Sequence, residues 1–202
     1  MKKLVFTVIM SVGFVAASFA QDKGDVEFGV NIGYNVSNIT NNDQRISSDS
    51  GNGLNVGVAA DYFFSDRWSI KGKLIYDQKG WNNDNLGFGV TDINLDYLTV
   101  PVMANWHFGS KRNWYLNFGP YVGFLMNAED TRSKIDVKPL LNTTDFGLAF
   151  GIGVKIPVSD KLKVSLEYDG QSGLTSVFDN DGLGTVTGAR SAFNVGLNFM
   201  MK

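Results

Sequence analysis

Few side chains in this sequence could do chemistry, and their placement decides what kind. The chain contains a single histidine, His107, and no cysteine. Thiolate catalysis, thiolate metal sites, disulfides and a lipid-modified N-terminal cysteine are therefore excluded. A lipid acyl-ester hydrolase or acyltransferase would need His107 beside a serine and an acidic partner on one rim. His107 instead stands next to the short connection Gly109 to Asn113, so it reads as an interfacial polar residue. No catalytic residue and no enzyme activity are expected.

The charged residues form a clearer pattern. Glu27, Asp61, Lys71, Lys73, Asp77, Lys79, Lys155, Lys163, Glu167 and Asp169 recur on the polar side of alternating segments, with both signs on neighbouring segments. Buried charges need partners, which predicts a mutually neutralising network filling an interior; a narrow gated pore or proton path is the sharper alternative. Between the alternating segments lie Asp43, Asp49, Asp84, Asp92, Glu129, Asp130, Asp179 and Asp181, which could offer oxygens to calcium. The run Phe178 to Gly182, FDNDG, lacks the spacing and bidentate glutamate of a calcium loop, so these read as solvated turn residues. No metal site and no cofactor are expected. Arg45, Arg132, Lys134, Lys138 and Arg190 are placed to meet lipopolysaccharide phosphates at a rim.

The elements that must position these groups are strands. In Phe146 to Ile156, FGLAFGIGVKI, the residues Phe146, Leu148, Phe150, Ile152, Val154 and Ile156 keep strict period two against Gly147, Ala149, Gly151, Gly153 and Lys155. A helix would scatter the apolar set, and its three interior glycines would each cost about 1 kcal/mol relative to alanine. The same alternation begins near Val26, Leu54, Trp68, Leu98, Trp114, Leu162 and Phe193, giving eight strands. Their connections alternate: long at Asn38 to Asn52, Asn82 to Asp92, Asn127 to Thr144 and Thr175 to Arg190, and short at Ser65 to Arg67, Gly109 to Asn113 and Ser159 to Lys161. Long strands with one rim of tight turns and one of long loops predict an all-β, eight-stranded antiparallel up-and-down transmembrane β-barrel.

Alternation alone fits a soluble lipocalin-like barrel too, with the greasy face inward. Size decides otherwise, because several Phe, Trp, Tyr, Leu or Ile per strand would overfill an eight-stranded interior, whereas Gly, Ala, Asn and Ser fit one. Aromatic residues flanking the tight turns add to this: Tyr62, Phe63, Phe64 and Trp68 at one, and Trp106, Phe108, Trp114 and Tyr115 at another. Such rings predict an interfacial girdle on the periplasmic side.

Residues 1–20 carry Lys2 and Lys3, an apolar run from Leu4 to Ala17, and then Ser18, Phe19 and Ala20. This is the pattern of a signal peptide cleaved after Ala20; the run falls short of the about 20 apolar residues a retained anchor would need. Removing Lys2 and Lys3 from the 18 basic residues leaves 16 against 20 acidic ones, with no basic block. Nucleic-acid binding is thereby disfavoured, and residues 21–202 read as one outer-membrane barrel domain.

Two stretches carry a family resemblance. LDYLTVPVMANWHF, from Leu95 to Phe108, and YLNFGPYVGFLM, from Tyr115 to Met126, resemble the paired signature of the PorT-like outer-membrane β-barrel family of Bacteroidetes, with a proline in one strand and Gly-Pro-Tyr-x-Gly in the next. The resemblance implies an eight-stranded barrel of OmpA/OmpX shape. It implies little about activity, the name-giving member being an accessory of a secretion system. One departure is terminal: Phe199 is followed by Met200, Met201 and Lys202, where such barrels often end on an aromatic residue. The expected protein is a non-enzymatic, monomeric barrel in the outer membrane, meeting lipid and lipopolysaccharide. It would have a structural role in the envelope or a loop-borne envelope protein partner, the alternative being a secretion or transport accessory.

Overall fold

The computed structural model describes residues 23–41, 46–83, 91–179 and 184–201. The leader falls outside these residues. Nine strands follow in order: β1 (Val26–Asn41), β2 (Ile46–Ser47), β3 (Asp49–Phe63), β4 (Trp68–Asn83), β5 (Thr91–Phe108), β6 (Trp114–Asp130), β7 (Thr144–Pro157), β8 (Leu162–Gly173) and β9 (Val186–Met201). Each long strand pairs antiparallel with the next, and β1 pairs with β9 from Val26↔Met201 to Asn41↔Val186, closing an eight-stranded barrel. Closure leaves no sheet edge, so backbone groups can be satisfied inside hydrocarbon. The two-residue β2 adds only a short pairing to the loop end of β1.

Period two dictates which face each side chain takes, and side-chain size dictates which face looks out. Phe146, Phe150 and Ile152 of β7 are 51%, 52% and 44% exposed on the outer wall, while Ala149 and Lys155 of the same strand are buried. Phe28, Val30, Ile32 and Tyr34 of β1, and Phe193, Val195, Leu197 and Phe199 of β9, continue that greasy wall. A soluble protein would not expose such a continuous belt to water; hydrocarbon is the solvent it fits.

The strands run further than the alternating apolar pattern implies. β5 has 18 residues and β6 has 17, whereas about 9–11 tilted residues cross a bilayer. The surplus lies at the loop end. Above the apolar band the outward positions turn polar, with Gln78 following Tyr76 on β4, Asp96 preceding Leu98 on β5, and Asn127 following Met126 on β6. Much of what composition marks as long loop is thus strand, because paired polar residues extend a ladder in water as well as in lipid. The loop from β6 to β7 also carries a single 3₁₀ turn, Lys138–Leu140.

Three short turns close the opposite rim. In the first, the Ser65 hydroxyl accepts the Trp68 N–H at 3.0 Å; in the second, Gly109 and Arg112 adopt φ of 85° and 52°, the left-handed region that lets five residues reverse the chain. Trp68, Trp106, Phe108 and Trp114 stack in series at centroid distances of 6.2, 5.2 and 6.4 Å, forming an aromatic belt across β4 to β6 beside the first two turns. Two of the expected girdle residues do not join it. Phe63 and Tyr115 have the opposite parity and are buried in the lumen.

The greasy wall predicts its own test. Phe150→Arg, near the middle of the outward band of β7, should destabilise the barrel in lipid vesicles by about 2–4 kcal/mol, measured by reversible denaturant unfolding, whereas Phe150→Leu should cost far less.

Candidate functional site

The lumen is where the chemistry-bearing residues meet. Glu27 of β1 and Asp61 of β3 are directly paired across strands, an arrangement that repels unless a cation intervenes. Lys155 of β7 supplies it, reaching across the barrel to bind Glu27 and, at 3.1 Å, Asp61. Lys163 of β8 adds a 2.8 Å contact to the other Glu27 oxygen. The Asn105 amide donates to Asp61 at 2.8 Å and lies 3.1 Å from the His107 Nε2.

One tier further from the turns, Glu167 of β8 sits among Lys71 at 3.1 Å, Lys73, the Tyr115 hydroxyl at 2.7 Å and the Asn117 amide at 3.3 Å. Lys71 and Lys73 share one face of β4, so a single carboxylate between them offsets their repulsion. Tyr115 can lie across the lumen because Gly153 stands opposite it, where any Cβ would strike the ring. The next tier joins Asp169 to Lys73 at 3.5 Å and to Arg190, and Arg190 Nε to Asp77 at 3.2 Å. The Asn35 amide donates to Asp77 at 2.6 Å. Highest of all, Lys79 lies 3.6 Å from Asp145 and over the rings of Tyr97 and Tyr121, and the Tyr121 hydroxyl donates to Asp145 at 2.9 Å. Among the described residues, six carboxylates thus meet six cations within the lumen, and the set is neutral.

Above this ionic column the lumen turns apolar. Ile39, Trp81, Ile93, Leu95, Tyr97 and Leu125 pack together at the loop end, and Leu141, Val177 and Phe178 fold over them from the long connections. An isolated bridge between Leu141 and Phe178 ties two of those connections together. Among the described residues, cavities of about 30 Å³ under this cap and about 20 Å³ beside Glu167 leave room for single waters.

All ten charged residues expected to point inward do so. Two more belong with them. Asp145 has the parity of Gly147 and Ala149, and Arg190 that of Asn194 and Asn198, so extending the first strand by one residue and the second by three finds both. Arg190 was expected to meet phosphates at the rim; it is buried, held between Asp77 and Asp169. His107 was expected at the interface, yet it is fully buried, its ring 5.0 Å from Phe63 and 5.9 Å from Tyr115. Parity decides this too, since His107 follows the outward Trp106.

At the rim, Arg132 pairs with Asp92 at 3.0 Å, Lys134 pairs with Glu129 at 3.0 Å, and Lys138 donates to the Met126 carbonyl. Asp130 accepts the backbone N–H groups of Arg132 and Ser133, which makes it a turn residue. Asp49 and Asp179 are also described, and no group of three potential metal ligands converges among the described residues. Arg45, Asp43, Asp84, Asp181 and most of the FDNDG run lie outside them.

A closed antiparallel barrel with a greasy exterior, an aromatic belt at the short turns and a charge-filled axis defines a transmembrane barrel of the outer-membrane class. A family model described as outer membrane protein beta-barrel domain matches residues 19–179, and the chain belongs to that family. It is a protein of the outer membrane. Solved structures agree on the fold: OprG from Pseudomonas aeruginosa has a TM-score of 0.60 at 12% identity, covering 92% of this chain and 99% of that one. AlkL, solved in lipid bilayers, gives 0.55 at 12% identity over 94% and 95%. Neisserial surface protein A gives 0.52 at 16% identity over 85% and 96%. Comparison with curated proteins finds no match.

The centre of the ionic column offers a direct test. Glu167→Gln leaves Lys71 and Lys73 without their shared carboxylate and should cost about 3–5 kcal/mol in unfolding from lipid vesicles. Adding Lys73→Met, which restores neutrality, should recover part of that loss.

Proposed function

We propose that this protein is a non-enzymatic, non-conducting barrel of the outer membrane, whose role is exercised by its outer surface. The observation that carries this reading is the lumen: among the described residues, a neutral ionic column topped by an apolar cap, with water-sized voids beside it. A charged path whose carboxylates and cations are each met by an opposite charge offers a passing ion no uncompensated partner, and an apolar cap offers it no hydration. Against catalysis stands the position of His107, sealed between two aromatic rings with Asn105 as its polar neighbour.

On this reading the barrel is a monomer in contact with lipid and lipopolysaccharide, and its extended strands lift the connecting loops toward an envelope or external partner. The signatures from Leu95 to Phe108 and Tyr115 to Met126 support a place among the PorT-like barrels within the broader family. The run from Lys2 to Ala20 supports export by a cleaved leader.

Two measurements test this. Purified protein in planar bilayers should give no reproducible ohmic steps; steady single-channel conductance would overturn the closed-lumen reading. The intact mass of protein extracted from native outer membranes should correspond to a chain beginning at Gln21, and a retained leader would refute the processing.

A further inference from the structure

The outer wall above the apolar band carries a cleft that the lumen does not explain. Asn52 of β3, Gln78 and Lys79 of β4, Asn94 and Asp96 of β5, and Asn127 and Glu129 of β6 line a space of about 170 Å³, several times larger than the lumen cavities. Register places them in rows across the wall: Gln78 pairs with Asp96, Asp96 with Asn127, and Asn94 with Glu129.

The wall is concave here for a readable reason. The β3–β4 ladder breaks register between Ser50 and Asn55, and the β5–β6 ladder shifts between Asp96 and Tyr97, so irregularities flank the cleft on both sides. Such bulges bend strands and sharpen their twist. Gly51 permits the inner break, since a Cβ there would collide with the Gly80 backbone. Directly beneath the cleft, Tyr76, Leu98 and Phe124 are paired in one row at the top of the greasy wall. The cleft therefore opens at the headgroup level of the outer leaflet.

Its chemistry narrows the ligand. Four carboxamides each offer donors and an acceptor, and two carboxylates only accept. Asp96 disfavours a phosphate or sulfate, and the neighbouring cations are already engaged, Lys79 with Asp145 and Lys134 with Glu129. No third carboxylate or histidine joins them among the described residues, so the donor set is poor for a divalent cation. Hydroxyl groups fit both types of lining group, donating to the carboxylates and exchanging hydrogen bonds with the amides. The Tyr76 ring, 42% exposed, with its hydroxyl on Asp96, adds an apolar edge against which a pyranose face can rest. We propose that this cleft binds saccharide, through Asn52, Gln78, Asn94, Asp96, Asn127 and Glu129, at the height of the outer-leaflet sugars.

The sugar could come from lipopolysaccharide in the same membrane or from a soluble glycan, and one experiment separates the two. The mature barrel in phospholipid nanodiscs is titrated with delipidated lipopolysaccharide core oligosaccharide and, separately, with maltohexaose, while the side-chain amide signals of the four carboxamides are followed by NMR. Saturable shifts of those amides are expected, with affinity at least tenfold weaker in Asn94→Ala/Asn127→Ala. A response to the core oligosaccharide alone assigns the site to resident lipopolysaccharide; a response to maltohexaose, alone or as well, assigns it to soluble glycan. Silence toward both sugars, or shifts unchanged in the double variant, would overturn the proposal. The cleft lies outside the lumen, so this result is independent of whether the barrel conducts.

Discussion

Lys155 stretches across the barrel to two carboxylates that stand side by side, and the rest of the interior follows the same necessity. A lumen this narrow cannot hydrate a charge fully, so every ion must be met by an opposite one from another strand. Lys71 and Lys73 converge on Glu167, and Arg190 lies between Asp77 and Asp169. None of these pairs is local in sequence. Apart from the Asp169–Arg190 tie between the neighbours β8 and β9, the ionic column is a set of ties between strands across the barrel that the closed barrel satisfies, and it favours one registration of the strands over its neighbours.

Two further media surround that column. Outside, the wall of Phe, Ile, Leu and Val matches hydrocarbon; above, the cap of Trp81, Leu95, Tyr97 and Leu125 excludes water from the axis. The apolar residues of this chain thus serve opposite ends, solvation by lipid on one face and sealing of the lumen on the other. A strand changes from one use to the other without changing period, since Tyr76 faces lipid and Trp81 faces the axis of the same β4.

The fold was legible because period two survives through every membrane-crossing segment and the size asymmetry between faces leaves one orientation. The ionic column was legible for the same reason, down to ten of its residues. What escaped notice sat at strand ends. Arg190 falls in a stretch that composition marks as loop and Asp145 just before the alternation starts, because the apolar pattern stops there although the hydrogen-bonded ladder does not. His107, Phe63 and Tyr115 are residue types that suit an interface, yet their parity turns them inward. The apolar cap was hidden more deeply: Leu141, Val177 and Phe178 come from irregular connections, whose approach to Trp81 is a matter of tertiary packing that no local period records.

Strand lengths give the molecule a further property. β5 has 18 residues and β8 has 12, a difference of about 20 Å of chain at roughly 3.3 Å per residue before tilt is considered. The rim is consequently a slanted crest, tall along β4 to β6 and low at β8. A body of that shape has a front and a back in the plane of the membrane, so its lateral neighbours meet different surfaces according to the direction from which they approach.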